Sequence, residues 1–481
     1  MTIKSLIKSI QDTMRQDSGV DGDAQRISQL VWMLFLKVYD AKESEWEIFD
    51  PEYTSIIPEE LRWRNWAEDS EGITGDELLD FVNEKLFKQL KELEIDESTD
   101  KRGMIVKAVF DDSYNYMKSG TLLRKVINKL NEIDFEDYQE RHAFNDIYEN
   151  ILKDLQSAGN AGEYYSPRPL TDFIIEKLQP KVGEKIADFA CGTGGFLVSY
   201  LKYLDVDKHN TEEVKTIKSS IFGIEKKPMP HLLCMTNLLL HEIDTPNILR
   251  DNSLTTNVRD YREKDKFDLI AMNPPFGGTE EKSVQINFPA EFRTSETADL
   301  FMTLIMYRLK QDGRAGVILP DGFLFGDDNS KIAIKEKLLK EFNLHTIVRI
   351  PSGAFAPYTS ISTNLLFFDK TNPTKKVDYY QVPLPDYLKN GFTKTKPLKE
   401  SHLDGVREWW NNRDKEDKNA YSVEVDKIKE ANYNLDFKNP NNGKEEKEYK
   451  LDELLQIMDE KAKSIQETIK KLTEELEGVE E

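Results

Sequence analysis

Asn273-Pro274-Pro275-Phe276 directly follows an apolar run, Phe267 to Met272, whose pattern predicts a buried parallel strand. These residue types suit one chemistry, group transfer to an amine attached to a planar ring. Such an amine is a poor nucleophile, because its lone pair is delocalised into the ring. The Asn273 side-chain oxygen and the Pro274 backbone carbonyl can each accept one N–H, drawing the nitrogen towards tetrahedral geometry and freeing the lone pair. The prolines stiffen the backbone that presents those acceptors. Phe276 offers a face on which a planar ring can stack. A Pro-Pro pair after a strand also serves simply as a rigid turn, so the string needs support from elsewhere in the chain.

That support comes from a second cluster. Lys185 to Phe189 reads as a first strand, and Ala190-Cys191-Gly192-Thr193-Gly194-Gly195-Phe196 leads from it into a helix. Glycines in a strand–turn–helix setting let the backbone approach a ligand closely. The spacing is not the dinucleotide fingerprint G-x-G-x-x-G. It suits a smaller cofactor with a methionine-like tail, and its bland counterpart is a plain strand-to-helix turn. A second strand, Ser220 to Ile224, ends at Glu225, where an acid can bind both hydroxyls of a ribose. A third, Asn247 to Arg250, ends in Asp251-Asn252, a pair suited to the amino edge of an adenine and equally used to cap helices.

The elements that must hold these residues follow from periodicity. Strand candidates continue with Phe267 to Met272, Gly313 to Leu319, Thr346 to Ile350 and Asn364 to Phe368. Strands alternating with helices predict a doubly wound α/β sheet, with ligands at the C-terminal strand ends. Gly277-Gly278 and the polar run to Ser295 predict a mobile loop beside the target pocket. Phe301 is a candidate for lining the cofactor pocket and, equally, a helical core residue. Before this region the chain reads as helical, with Ile27, Leu30, Val31 and Leu34 in one apolar helix and Leu122, Val126, Ile127 and Leu130 at helical spacing. Trp63 and Trp66 stand in a polar stretch and predict a surface loop. Trp409-Trp410 reads as an exposed aromatic pair, placed either for a partner or to cap a core edge. The expected domains are residues 1–155, helical; 156–438, catalytic; and 439–481, a linker and C-terminal helix.

Bulk properties narrow the classes. A chain of 481 residues implies two or three domains. No run of about twenty apolar residues occurs, which argues against a membrane span. Cys191 and Cys234, the only cysteines, fall in predicted core segments, as free thiols in a reducing cytoplasm would. No Cys/His cluster has zinc-ligand spacing, so no metal is expected. The net charge of −22 is a poor balance for a protein that must hold DNA unaided.

Taken in order, Gly162-Glu163-Tyr164-Tyr165-Ser166-Pro167-Arg168, Asp188 to Phe196, Gly223-Ile224-Glu225 and Asn273 to Phe276 resemble the modification subunits of type I restriction-modification systems. The likeness runs from the helical region to about Phe368 and more loosely to the C-terminus. It implies an S-adenosyl-L-methionine-dependent DNA adenine-N6 methyltransferase with a Rossmann-like, mostly parallel seven-stranded sheet whose last strand is antiparallel. It also implies cofactor contacts at Glu163, Tyr164, Tyr165, Ser166, Pro167 and Arg168, at Thr193, Gly194 and Gly195, and at Glu225. Asp188, Gly192, Asp251 and Asn252 join them as cofactor candidates, and Asn273, Pro274, Pro275 and Phe276 are the catalytic set. One departure is Phe189, where many members carry Pro, which leaves that turn less rigid.

Leu451, Leu455, Met458, Ala462, Ile465, Ile469, Leu472 and Leu476 alternate four and three apart, an a/d seam that predicts a coiled-coil helix over 451–476. The resemblance makes its partner the specificity subunit, which would read the DNA target. It also implies a second methyltransferase subunit in the complex and leaves room for a restriction/translocase subunit. Two rival readings stand beside this one. The same four-residue string could serve methylation of a protein glutamine or an RNA guanine, and a non-catalytic scaffold could bind cofactor as a structural ligand.

Overall fold

The computed structural model describes residues 3–95, 101–111, 113–136 and 165–441, with a few single residues outside those spans. Residues 1–438 form one compact unit and residues 439–481 a second. The predicted coiled-coil seam, apart from Met458, lies outside the described residues.

Among the described residues nine strands make one sheet: β1 (Ile186–Asp188), β2 (Ile221–Glu225), β3 (Ile248–Arg250), β4 (Phe267–Met272), β5 (Leu309–Pro320), β6 (Asn343–Ile350), β7 (Thr363–Asp369), β8 (Lys376–Gln381) and β9 (Ala420–Glu424). Their order is β3-β2-β1-β4-β5-β7-β6-β8-β9. Strands β3, β2, β1, β4 and β5 are parallel, and β7 runs antiparallel between β5 and β6, as expected. The chain starts at β1, steps outwards to β2 and β3, then returns to β4 on the other side. The crevice at that reversal, between the tips of β1 and β4, is where an open α/β sheet binds ligands.

The seven-stranded expectation needs correction. β8 adds parallel to β6, and β9 adds antiparallel to β8. The pair is welded by Tyr379 and Tyr421, directly opposite each other with rings stacked at 4.9 Å. The sequence hides this extension because nearly forty residues, including a helix at Asp404–Asn411, separate the two short strands.

The tryptophan expectations also change. Trp63 and Trp66 are buried on one short helical turn, not on a surface loop. The Trp63 indole donates to Asn131 Oδ1 at 2.9 Å and the Trp66 indole to the Leu61 carbonyl at 3.1 Å. Their polar look comes from Arg62 and Arg64, which pair with Glu47, Arg64 also with Asp40. Trp409 is buried against Tyr380, and Trp410 packs edge-on to Phe367 at 4.8 Å, so the pair caps a core edge.

Helices Ile3–Met14 and Asp23–Phe49 lead the N-terminal region, which packs into the same core as the sheet's flanking helices. Among the described residues no helix is long and apolar enough to cross a membrane.

Candidate active site

β1 ends at Asp188, and the chain turns through Gly192 (φ +54°) and Gly194 (φ +82°) into helix Gly195–Leu204. Glycine is required here twice over. The left-handed backbone disfavours a side chain. The turn is also pressed from behind, since a Cβ at Gly194 would stand 2.9 Å from Cys234 Sγ and one at Gly195 2.1 Å from the Arg168 guanidinium. Asn237, from helix Pro228–Leu240, fixes the turn by donating to the Thr193 carbonyl at 2.9 Å.

β2 ends at Glu225, which is 7% exposed. Its carboxylate accepts the Gly192 N–H at 2.9 Å and the Lys227 N–H at 2.7 Å, one on each oxygen. Burial pushes its pKa up, against those two amides. Asp188, buried at the foot of the same turn, accepts the Ala190 N–H at 3.0 Å. Burial raises it well above the usual carboxylate range, and the charge of Glu225 acts in the same direction. An ionised carboxylate has about four lone-pair positions. Glu225 therefore keeps acceptor capacity for a pair of hydroxyls after both backbone bonds are made.

At the tip of β3, Asp251 accepts the Asn252 N–H at 2.7 Å, and Asn252 Oδ1 accepts the Leu254 N–H at 3.1 Å. Asn252 thus shapes its own turn as well as facing the cavity. Ser253 ties this tip to β1 by donating to the Phe189 carbonyl at 2.6 Å.

β4 delivers Asn273. Its amide nitrogen donates to Ser166 Oγ at 3.2 Å, while Oδ1 is buried with no partner among the described residues. A buried unpaired acceptor is costly and calls for an explanation. Pro274 is buried, Pro275 exposed, and Phe276 half-buried with its ring edge-to-face on Phe355 at 5.6 Å.

One cavity, open to solvent at its mouth, joins these tips. It is lined by the predicted Ser166, Asp188, Gly192, Thr193, Gly195, Glu225, Asp251, Asn252, Asn273 and Pro275. Tyr165, Pro167, Arg168, Gly194, Pro274 and Phe276 are not in its wall. Arg168 instead lies over the Tyr165 ring at 5.1 Å and backs Gly195. Glu163 and Tyr164 lie outside the described residues. Phe301 is both core and lining. Reasoning from sequence missed Lys226, Lys227, Ser253, Glu280 and Thr297, all in the wall. The lysines adjoin Glu225 and could have been found. Glu280 and Thr297 carry no such signal.

The run after Gly277-Gly278 folds as a clip. Its ends are tied by Glu280 N–H to the Ser295 carbonyl at 2.8 Å and Thr297 N–H to the Gly278 carbonyl at 3.0 Å. Cys191 and Cys234 are free and buried, with sulfurs 3.9 Å apart. Among the described residues no group of His, Cys, Asp and Glu could hold a metal ion.

Comparisons with known proteins identify the family. The N-6 DNA Methylase family matches residues 139–449, and the HsdM N-terminal domain matches residues 3–130. The chain is 53% identical to the type I restriction enzyme EcoEI methylase subunit of Escherichia coli, over 92% of this chain and 91% of that one. It is 30% identical to the EcoKI methylase subunit of the same species, over 82% of this chain and 73% of that one. Among solved structures it is similar to a chain of a type I restriction-modification system described for its complex assembly and conformational transition. That match has a TM-score of 0.82 and 35% identity, over 98% of each chain. A modification subunit provisionally assigned to a type I restriction enzyme of Vibrio vulnificus YJ016 matches with a TM-score of 0.80 and 41% identity, over 92% of this chain and 97% of that one.

Proposed function

The chain belongs to the N-6 DNA methylases, as a type I restriction-modification methylase subunit, and from that premise we propose how it works. It methylates the N6 amine of adenine in DNA, using S-adenosyl-L-methionine, within a complex whose specificity subunit reads the target. The observation that carries this reading is Asn273 Oδ1, a buried acceptor left without a partner in the wall of the cavity that also holds Glu225.

The cavity suits the cofactor. Glu225 retains lone pairs for two ribose hydroxyls, Asp251 and Asn252 sit at the next strand tip, and Gly192 and Gly195, both in the wall, carry no side chain to obstruct a bound tail. When bound, the cofactor supplies a methyl group on a sulfonium, already activated for transfer. The protein's remaining task is to hold the amine and expose its lone pair. Asn273 Oδ1 and the Pro274 carbonyl accept the two N6 hydrogens, and Phe276, its ring held by Phe355, offers the stacking face for the everted base. No nucleophilic side chain is needed, so catalysis rests on position and electrostatics.

The net charge of −22 supports a division of labour in which another subunit supplies much of the grip on DNA. The segment 451–476, whose a/d spacing predicts a helix, is the proposed contact with that specificity subunit, and a second copy of this chain completes the methyltransferase. A scaffold would have no use for an unpaired Asn273 oxygen, which disfavours the non-catalytic reading.

The test is nucleoside mass spectrometry on DNA from cells expressing this chain with its specificity subunit. N6-methyladenine at one recurring sequence is expected, and none with Asn273→Ala. Methylation that persists in the variant would end the assignment.

A further inference from the structure

Thr297 opens helix Thr297–Arg308 and is 3% exposed. Thr297 lines the same cavity as Asn273, and its hydroxyl, like Asn273 Oδ1, is buried without a partner among the described residues. A threonine in or before a helix ordinarily satisfies its hydroxyl locally. Thr303, two turns along, does so by donating to the Asp299 carbonyl at 3.2 Å. Thr297 makes no such bond.

The surrounding chain keeps this hydroxyl in place and keeps space around it. The Thr297 N–H is fixed to the Gly278 carbonyl at 3.0 Å. A Cβ at Gly278 would stand 2.6 Å from Thr297 Oγ1, so glycine leaves the hydroxyl room. Gly278 lies two residues beyond Phe276, which puts Thr297 at the β4 end of the cavity. The cofactor candidates Glu225, Asp251 and Asn252 stand at the tips of β2 and β3, with β1 intervening. Two unpaired polar atoms of complementary type therefore share the target end: an acceptor on Asn273 and a hydroxyl able to donate on Thr297.

Adenine matches that pair. Its N6 amine donates two hydrogens and is flanked by N1 and N7, both acceptors. We propose that Thr297 is a further positioning and specificity residue, whose hydroxyl donates to a ring nitrogen flanking the target amine while Asn273 and Pro274 hold the amine itself. This rests on the adenine-N6 reading above.

The experiment uses the full chain assembled with its specificity subunit and duplexes carrying the mapped site, with adenine, 1-deazaadenine or 7-deazaadenine at the target position. Thr297→Val, nearly isosteric, is expected to lower kcat about tenfold on adenine, the scale of one lost hydrogen bond. S-adenosyl-L-methionine affinity should stay within about twofold. On one of the two deaza duplexes, wild type and variant should methylate at nearly equal rates, because the acceptor is already missing. Thr297→Ser should recover most of the loss on adenine. An undiminished gap on both deaza substrates, no loss on adenine, or a matching fall in cofactor affinity would each overturn the assignment. A wild-type product other than N6-methyladenine would instead remove the reading on which it rests.

Discussion

The two ends of the cavity are built differently. At the proposed cofactor end the acidic and amide side chains in the wall already accept backbone N–H groups: both Glu225 oxygens do, Asp188 accepts from Ala190, Asp251 from Asn252, and Asn252 from Leu254. At the target end Asn273 Oδ1 and Thr297 Oγ1 are buried and unpaired. A site whose groups hold one another is rigid before its ligand arrives and spends little of the binding energy on ordering. A site with unpaired groups carries a desolvation penalty that only the right ligand relieves, and that penalty becomes discrimination. The contrast implies that binding and chemistry are separable by substitution.

The sharpest way to break this contrast is Asn273→Ala. Methyl transfer should fall by at least about a thousandfold, the upper range for deleting one oxyanion-hole donor. Calorimetric affinity for S-adenosyl-L-methionine should remain within about twofold of wild type. A comparable fall in affinity would mean that the two ends are one.

Glu225→Gln attacks the other end. Replacing one carboxylate oxygen with an amide nitrogen sets a donor against either the Gly192 or the Lys227 N–H. Loss of a charge-assisted bond predicts cofactor affinity about ten- to a hundredfold weaker, with kcat recovered at saturating cofactor. If kcat stayed low at saturation, Glu225 would also be shaping the target end.

Gly278→Ala gives a smaller effect. The added methyl would crowd Thr297 Oγ1 at 2.6 Å and must displace it. A several-fold lower kcat, about fivefold, with unchanged cofactor affinity is expected in steady-state assays.

How far the sequence revealed this design depends on the end considered. The residues of the proposed cofactor end were legible as neighbours in one cavity because their placement is local: Asp188, the glycine turn, Glu225 and Asp251-Asn252 stand at the ends of predicted strands. Asn273 was legible for the same reason. Thr297 was not, because its role depends on a clip closed by two backbone bonds, Thr297 to Gly278 and Glu280 to Ser295, which leave no periodic trace. The sheet was read correctly through β7 and missed at β8 and β9, whose pairing spans a long intervening segment. Trp63 and Trp66 were misplaced because their charged neighbours mask two side chains that a single helical turn buries. Long-range pairing and one-sided burial are tertiary properties, and a local pattern does not encode them.

The smallest effect concerns what holds the cofactor end together as pH falls. His231, 1% exposed on helix Pro228–Leu240, places Nε2 3.4 Å from the β3 carbonyl of Ile248, and its Nδ1 is buried without a partner among the described residues. Burial lowers its pKa from the ordinary 6.5 to about 4, and the positive charge of Arg250 acts the same way. The unfolded chain therefore binds this proton more readily than the folded one, so the histidine's contribution to stability falls as pH drops from 6.5 to 4. The full span corresponds to about 3 kcal/mol. Asp40 and Asp299, each raised to about 6, run in the opposite direction over much of the same range. The wild-type curve alone thus mixes both trends, and the informative quantity is its difference from His231→Gln. Urea unfolding at a series of pH values should show wild type losing stability relative to the variant as pH falls through this window. A constant difference would mean that the imidazole is not held neutral, and that β3 and the cofactor tip it carries are not pH-sensitive through this residue.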